Sequence, residues 1–224
     1  MTLFVIILSI LIIYAMSASD WDFGTQNTVI PTIVADGDFV LQVDFNPGGG
    51  PAEIFDMFYN GDVNIGPNTE IDFKIKALDT EQFQTQGNPN IWFRSDSIDV
   101  SALTGINVRF KGSFSGGWWR AVDIYKYDGG TPTLLNASGN LHTIAVNTWY
   151  RYRVRVWDTV FPANNTRYSV ELWTGAAWNL LLQYDDATAW LKGINGRFGT
   201  GGRGSTAVLA QQERWNDLAI GEMS

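Results

Sequence analysis

The residues of this 224-residue chain that are most suited to chemistry are its carboxylates, a single histidine and many tryptophans. Hydrolysis of a glycoside requires two carboxylates at one glycosidic bond. The nearest such pair is Glu53 and Asp56, but residues three apart on a strand point to opposite faces. His142 is the one histidine, and we expect it in a turn or at a rim rather than in a catalytic dyad. The sequence leaves enzymatic activity open and leans towards a binding role.

Tryptophan favours sugar binding, because the apolar faces of pyranose rings stack on large aromatic side chains. The chain contains 10 Trp. Trp118 and Trp119 are adjacent, so on a strand they face opposite ways and at least one is expected to be exposed. With Arg120, Trp178 and Trp190 they form the set of candidate glycan-binding residues. The alternative is that these tryptophans fill a large core.

Three arginines, Arg151, Arg153 and Arg155, alternate along one predicted strand and point outwards. Such a row could bind a carboxylated or sulfated glycan. Pairing with carboxylates of a neighbouring strand or subunit is the favoured interpretation, because opposite charges across strands stabilise sheets.

Composition narrows the classes of function. A formal net charge of -8 disfavours nucleic acid as a partner, because phosphates would be repelled. The absence of cysteine excludes disulfides and thiolate metal sites. With 45% hydrophobic and 17% charged residues, the chain has enough apolar surface for a large core.

Residues 1–19 contain a long uncharged apolar segment, LFVIILSILIIYAMSA, which predicts a hydrophobic helix at membrane level. It resembles the N-terminal helix of type IV pilins, with Val5 where bacterial pilins usually have glutamate. The resemblance implies self-association through apolar side chains, and a retained anchor or assembly helix is favoured over a cleaved signal peptide. The candidate assembly residues are Leu3, Phe4, Ile7, Leu11 and Tyr14.

The remaining residues, 20–224, alternate with a period of two and predict strands in one domain. The clearest strand covers residues 69–77, with Ile71, Phe73 and Ile75 on one face and charged residues on the other. Glycine clusters, among them those at 128–130 and 201–202, are expected to end strands. We therefore predict an all-β fold: a two-sheet antiparallel jelly-roll sandwich preceded by one N-terminal hydrophobic helix. Further predicted strands cover residues 38–45, 54–59, 105–110, 119–127, 149–157, 168–173, 178–184 and 217–222.

Several segments of the second half, including NTWYRYRVRV, GRFGTGG and WNDLAIG, resemble the concanavalin A-like lectin/glucanase superfamily, in particular its laminin G-like domains. The resemblance implies the same sandwich and a link to glycans. It also implies a structural Ca²⁺ held with help from an Asp of the last strand, a place that Asp217 occupies. Asp22, together with Asp20, Asp36 and Asp38, could complete an oxygen-rich site.

We accordingly expect a non-enzymatic extracellular or cell-surface subunit. Its helix would lie in a membrane or in the core of an assembly with other copies of the chain, and its sandwich would bind a polysaccharide or glycan. The alternatives are a secreted lectin-like module and, third, a glycan-active hydrolase or lyase. No cofactor is required in these interpretations, although the fold could hold a structural Ca²⁺.

Overall fold

Two antiparallel β-sheets make up the computed structural model of the chain. The residues that it describes are 21–24, 29, 32–36, 39–45, 54–59, 66–78, 89–114, 118–160, 164–188, 190–203 and 211–222. Within these ranges we find no helix long and apolar enough to span a lipid bilayer. The predicted helix of residues 1–19, with all of its candidate assembly residues, lies outside the described residues.

Each described sheet has seven strands. Sheet A contains, in spatial order, β1 (Trp21–Phe23), β4 (Ile54–Tyr59), β13 (Arg197–Arg203), β6 (Asn90–Ser95), β7 (Gly105–Phe114), β8 (Trp118–Asp128) and β9 (Thr131–Thr143). Sheet B contains, in spatial order, β12 (Trp178–Asp186), β11 (Thr166–Trp173), β10 (Tyr150–Asp158), β5 (Thr69–Ala77), β14 (Gln211–Glu222), β3 (Phe39–Phe45) and β2 (Thr32–Ala35). These sheets confirm the predicted all-β, two-sheet antiparallel fold.

The core lies between the sheets and is built by the alternation that the sequence predicts. In sheet B, Phe73 of β5 and Tyr152 of β10 are fully buried. Phe73 contacts Phe110 of sheet A, with ring centroids 5.6 Å apart. Alternate residues of β6, β7 and β8 complete the same cluster from the other side. Since successive side chains of a strand point to opposite faces, the residues between them are directed away from the core.

A second, smaller hydrophobic cluster lies on the outer face of sheet A, the face directed away from the main core. Phe58 of β4 and Trp92 of β6 are fully buried there, beside Tyr127 of β8. Val100 and Leu103, from the connection between β6 and β7, pack against them. One end of this outer face is therefore covered by a loop, so polar side chains beside it are withdrawn from bulk water.

The two glycine clusters behave differently. Gly129 and Gly130 form the predicted turn between β8 and β9, with φ of 54° and 79°. The pair at 201–202 was expected to end a strand, but it lies inside β13. The prediction was wrong because glycine in a strand also marks a close approach of neighbouring groups. A Cβ on Gly199 of the same strand would lie 2.5 Å from the carbonyl oxygen of Met57.

Candidate functional site

The outer face of sheet A carries a row of polar residues that lie directly opposite one another on adjacent strands. Asn90 of β6 is paired with Arg109 of β7, and Arg109 is paired with Asp123 of β8. Asn107 and Tyr125 form the next such pair. Residues opposite one another in an antiparallel pair share a face, so the three adjacent strands β6, β7 and β8 carry these side chains on the same face.

The base of this polar surface is buried and hydrogen-bonded. Trp92 donates from Nε1 to Asp56 Oδ1 at 2.9 Å, and Asn107 donates from Nδ2 to Asn90 Oδ1 at 3.1 Å. Asp56, Asn90 and Asn107 are at most 1% exposed. The Oδ1 atom of Asn107 is buried and has no hydrogen-bond partner in the described part of the chain. Buried polar atoms are normally paired, so this oxygen is an exception within an otherwise hydrogen-bonded base.

A charged cluster borders this base. The carboxylate of Asp123, only 2% exposed, accepts hydrogen bonds or ion-pair contacts from Lys111 Nζ and from the Tyr125 hydroxyl, the latter at 3.3 Å. The Lys111 side chain is 36% exposed, so its amine reaches solvent. An amine, a phenol and a carboxylate in contact can hold or move a proton as well as bind sugar hydroxyls.

Arg109 lies beside this cluster and is partly buried. Its guanidinium carbon is 4.5 Å from the centre of the Tyr125 ring, and Nη2 donates to the Tyr127 hydroxyl at 3.1 Å. Stacking on the ring and the hydrogen bond fix the plane of the guanidinium. We name the set Asn90, Asn107, Arg109, Lys111, Asp123 and Tyr125 the polar face of sheet A.

The outer face of sheet B is different, because its charges neutralise one another. Arg151 contacts Asp72 at 2.8 Å, and Arg155 contacts Glu70 at 2.6 Å. Arg153 lies between them, 3.3 Å from Glu70. The hydrogen bond from Arg151 to Asp72 is the main cause of the raised pKa of Arg151. The predicted pairing of the arginine row with a neighbouring strand is confirmed. These arginines form cross-strand ion pairs that stabilise sheet B.

Of the predicted tryptophans, the two whose side chains the structure describes are not brought together. Trp178 lies on the outer face of sheet B, where the guanidinium carbon of Arg153 is 4.0 Å from its ring centre. Trp190 packs against the main core, as the alternative interpretation expects. Trp118, Trp119 and Arg120 begin strand β8, but their side chains lie outside what the structure describes. A role for them in glycan binding stays a prediction.

His142 lies in β9, an edge strand of sheet A, so of the two expected positions it has the one at the rim and not the one in a turn. Its Nε2 atom is 2.8 Å from the hydroxyl of Tyr152, whose ring is fully buried. The histidine is therefore engaged with the side of the core and not with the polar face of sheet A.

The two aspartates expected to hold Ca²⁺ lie in different sheets. Asp217 of β14 contacts Lys74 at 2.5 Å, and Asp22 of β1 contacts Arg197 at 2.7 Å. Among the described residues, no three His, Cys, Asp or Glu side chains form a group that could hold a metal ion. Asp36 contacts Lys76, whereas Asp20 and Asp38 lie outside the described residues. A structural Ca²⁺ stays a prediction, which thermal unfolding with Ca²⁺ and with a chelator would test.

Sequence reasoning missed the polar face of sheet A, although a signal was present. Asn107, Arg109 and Lys111 alternate along β7, and Asp123 and Tyr125 alternate along β8. The pairing of these two strands places all five on one face. A hairpin assumption for residues 105–128 would have brought these residues together.

Comparison with known proteins bears on the fold. No protein-family model matches the chain, and no curated protein matches its sequence. Solved structures do match. An endo-β-1,4-glucuronan lyase from the fungus Trichoderma reesei has a TM-score of 0.61 at 13% identity, covering 92% of this chain and 92% of that chain.

Two further structures represent other carbohydrate proteins. The carbohydrate recognition domain of Emp46p in its potassium-bound form has a TM-score of 0.55 at 10% identity, covering 88% of this chain and 87% of that chain. An alginate lyase in complex with an alginate tetrasaccharide, with a lysine and a tyrosine replaced by alanine, has a TM-score of 0.53 at 11% identity, covering 91% and 97%. The chain is thus similar in fold to a carbohydrate recognition domain and to polysaccharide lyases, in agreement with the predicted two-sheet sandwich.

Proposed function

We propose that this protein binds a carbohydrate chain on the polar face of sheet A. The observation that carries the proposal is the buried, hydrogen-bonded base of Asn90 and Asn107 beside the more exposed Lys111 and Tyr125. Hydroxyl and charged groups held above this hydrogen-bonded base are suited to sugar hydroxyls, because each group has a fixed position before the ligand arrives. Structural similarity to a carbohydrate recognition domain and to alginate and glucuronan lyases supports the same class of ligand.

The test of this proposal is binding to a glycan array, followed by calorimetric titration of the best ligand. Tyr125→Ala removes an aromatic and hydroxyl contact, so we expect affinity to fall about tenfold or more, about 1.4 kcal/mol. Trp178→Ala is the matched control, since it removes an aromatic side chain from the outer face of sheet B. Loss of binding in the Trp178 variant alone would move the site to sheet B. Silence across the array would overturn the proposal.

The proposal extends to where the protein works. We place the sandwich outside the cytoplasm, with residues 1–19 as an anchor or assembly helix that contacts other copies of the chain. The alternative is a secreted lectin-like module from which these residues are removed. Intact mass and size-exclusion chromatography of protein extracted from its native membrane or filament distinguish the two. A monomer that lacks residues 1–19 would overturn the assembly role.

A second candidate function is eliminative cleavage of a uronate-containing chain. The contact of Lys111 and Tyr125 with Asp123 favours it, because such a reaction needs a group that takes the proton from C5 of the uronate. The C4–O bond then breaks, the leaving oxygen takes up a proton, and a C4–C5 double bond remains. Ultraviolet absorbance of that unsaturated product, measured over a panel of polyuronates with the wild type and Lys111→Ala, tests this candidate. If the wild-type protein produces no increase in absorbance with any polyuronate, the cleavage function is contradicted and only the binding function remains.

A further inference from the structure

Arg109 differs from the other arginines of this protein in its surroundings. Of the arginine side chains that the structure describes, it is the one with no carboxylate partner. Every other described arginine side chain lies within 3.3 Å of a carboxylate oxygen: Arg94, Arg151, Arg153, Arg155, Arg167 and Arg197. A chain with 23 acidic residues thus leaves one guanidinium of its polar face unneutralised.

The carboxylate nearest to Arg109 in the strand register is already bound by other groups. Asp123 lies directly opposite Arg109 in the strand register, but its carboxylate is engaged by Lys111 and by the Tyr125 hydroxyl. Arg109 donates a hydrogen bond from Nη2 to the Tyr127 hydroxyl. Its Nε is buried without a hydrogen-bond partner in the described part of the chain. Its Nη1 makes no hydrogen bond to any described group.

A partly buried cation without a counter-ion has lost part of its hydration and gained no ion pair, which is unfavourable. An anionic group of a ligand would restore the missing interaction through a charge-assisted hydrogen bond. The protein's net charge of -8 would oppose an anion at long range. Salt screens that repulsion beyond about 8 Å at physiological ionic strength, whereas a direct contact at a partly buried group is screened much less.

We propose that the carbohydrate bound on the polar face of sheet A carries a negatively charged substituent, a carboxylate or a sulfate, and that Arg109 binds this group. This inference rests on the proposed function, because it assigns the class of ligand to the same site. Tyr125, which lies beside Arg109 and is partly exposed, then contacts the uncharged hydroxyls of the sugar. The stacking of Arg109 on the Tyr125 ring holds the guanidinium in place before the ligand binds.

The experiment is calorimetric titration with three 1,4-linked tetrasaccharides: an uncharged one, an oligouronate, and the uncharged one carrying sulfate esters. We expect the wild type to bind at least one of the two anionic probes about tenfold or more tightly than the uncharged probe. The carboxylate and sulfate arms separate the two sources of charge. Arg109→Gln should lose this preference, and Arg109→Lys should keep part of it, because lysine retains the charge without the planar fork.

Arg167→Gln is the matched control. It removes the same charge from the outer face of sheet B, where Arg167 contacts Asp185, and it should bind all three probes as the wild type does. Equal affinity of the wild type for the uncharged and anionic probes would overturn the inference and leave carbohydrate binding intact. Equal losses in Arg109→Gln and Arg167→Gln would also overturn it. Binding of none of the three, with a silent glycan array, would overturn the proposed function as well. If Arg109→Gln fails to fold, comparing the three probes with the wild type and with Arg109→Lys still tests whether Arg109 binds the anionic group.

Discussion

At the scale of single residues, the chain contains a buried hydroxyl whose contribution to stability depends on pH. The hydroxyl of Tyr168 is buried and has no hydrogen-bond partner in the described part of the chain. Burial raises the pKa of Tyr168 far above its usual range, and the nearby carboxylate of Asp186 raises it further. The pKa of Tyr184, which stacks on Tyr168, is raised for the same two reasons.

The sign of the resulting pH dependence follows from proton binding. A tyrosine in the unfolded chain loses its proton near pH 10. In the folded protein Tyr168 keeps its proton beyond that pH, so above about pH 10 the folded state binds more protons than the unfolded state. The free energy of unfolding therefore falls as pH rises from about 10 towards the raised folded pKa. Below pH 10 this contribution is fully present.

Tyr168→Phe should remove this alkaline loss without a cost at neutral pH. The variant deletes an unpaired buried hydroxyl, so we expect an unfolding free energy at pH 7 equal to that of the wild type or up to about 2 kcal/mol higher. Tyr152→Phe is the control, because its hydroxyl is 2.8 Å from His142 Nε2 and its loss should cost about 1 kcal/mol. Urea unfolding at pH 7 and above pH 10 measures both. A larger loss in Tyr168→Phe than in Tyr152→Phe would contradict this account.

At the scale of strands, β5 is predicted to the residue because it has one wet and one dry face. The bounds of β4 are also predicted to the residue, although its residues 56–58 are all buried. Strand β6 is missed because all of its residues are buried, so polarity does not alternate along it. Strand β9 is missed because its pairing with β8 shifts register at several points, which breaks the period of two.

The polar face of sheet A was not predicted because its burial depends on residues that are distant in the sequence. Arg109 and Asp123 belong to predicted strands, and their outward direction follows from alternation. Their burial depends on the loop that carries Val100 and Leu103 over the sheet, and nothing local in the sequence indicates where that loop packs. The sequence points to the tryptophans instead, because residue type can be read from a sequence, whereas cover by a distant segment cannot.

Strand β13 packs closely against β4 at Gly199, and this contact can be tested by mutation. A Cβ on Gly199 would lie 2.5 Å from the Met57 carbonyl oxygen and 2.7 Å from the Phe58 ring, both on β4. Gly199→Ala should therefore force β4 and β13 apart and cost about 1–3 kcal/mol. Gly129→Asn is the control, because its turn position has a φ of 54° that Asn tolerates and open space for a side chain. Thermal unfolding measures both, and an unchanged midpoint for Gly199→Ala would contradict the tight packing.

At the scale of the whole molecule, the two sheets are joined at one end by a buried ion pair. Arg94 is the penultimate residue of strand β6 of sheet A, and its Nη2 donates to Asp158 Oδ1 of sheet B at 2.9 Å. Its Nη1 donates to the Leu191 carbonyl oxygen at 2.8 Å, and Nη2 also donates to that of Pro67. The φ of Arg94 is 51°, a left-handed conformation that surrounding contacts must hold in place.

Removal of one partner from this pair should be costly, because the other charge would stay buried. The side chains of Arg94 and Asp158 are 2% and 13% exposed, so we expect Arg94→Met to lower the unfolding free energy by about 3–5 kcal/mol. Arg197→Met is the control, since its ion pair with Asp22 is 29% and 36% exposed and surface pairs contribute about 0–1 kcal/mol. Urea unfolding measures the unfolding free energy of both variants. Equal decreases in the two would contradict a stabilising buried ion pair between the sheets.

A double-mutant cycle separates the ion pair from the packing around it. If the cost of Arg94→Met is mainly the stranded carboxylate, then adding Asp158→Asn removes that charge and recovers part of the loss. Asp158 also accepts a hydrogen bond from the Gly193 amide at 2.6 Å, which an asparagine oxygen can still accept. The double variant should therefore be more stable than the sum of the single variants implies. Strict additivity would mean that the sheets are held at this end by packing and by the arginine's bonds to carbonyl groups, with no net contribution from the ion pair.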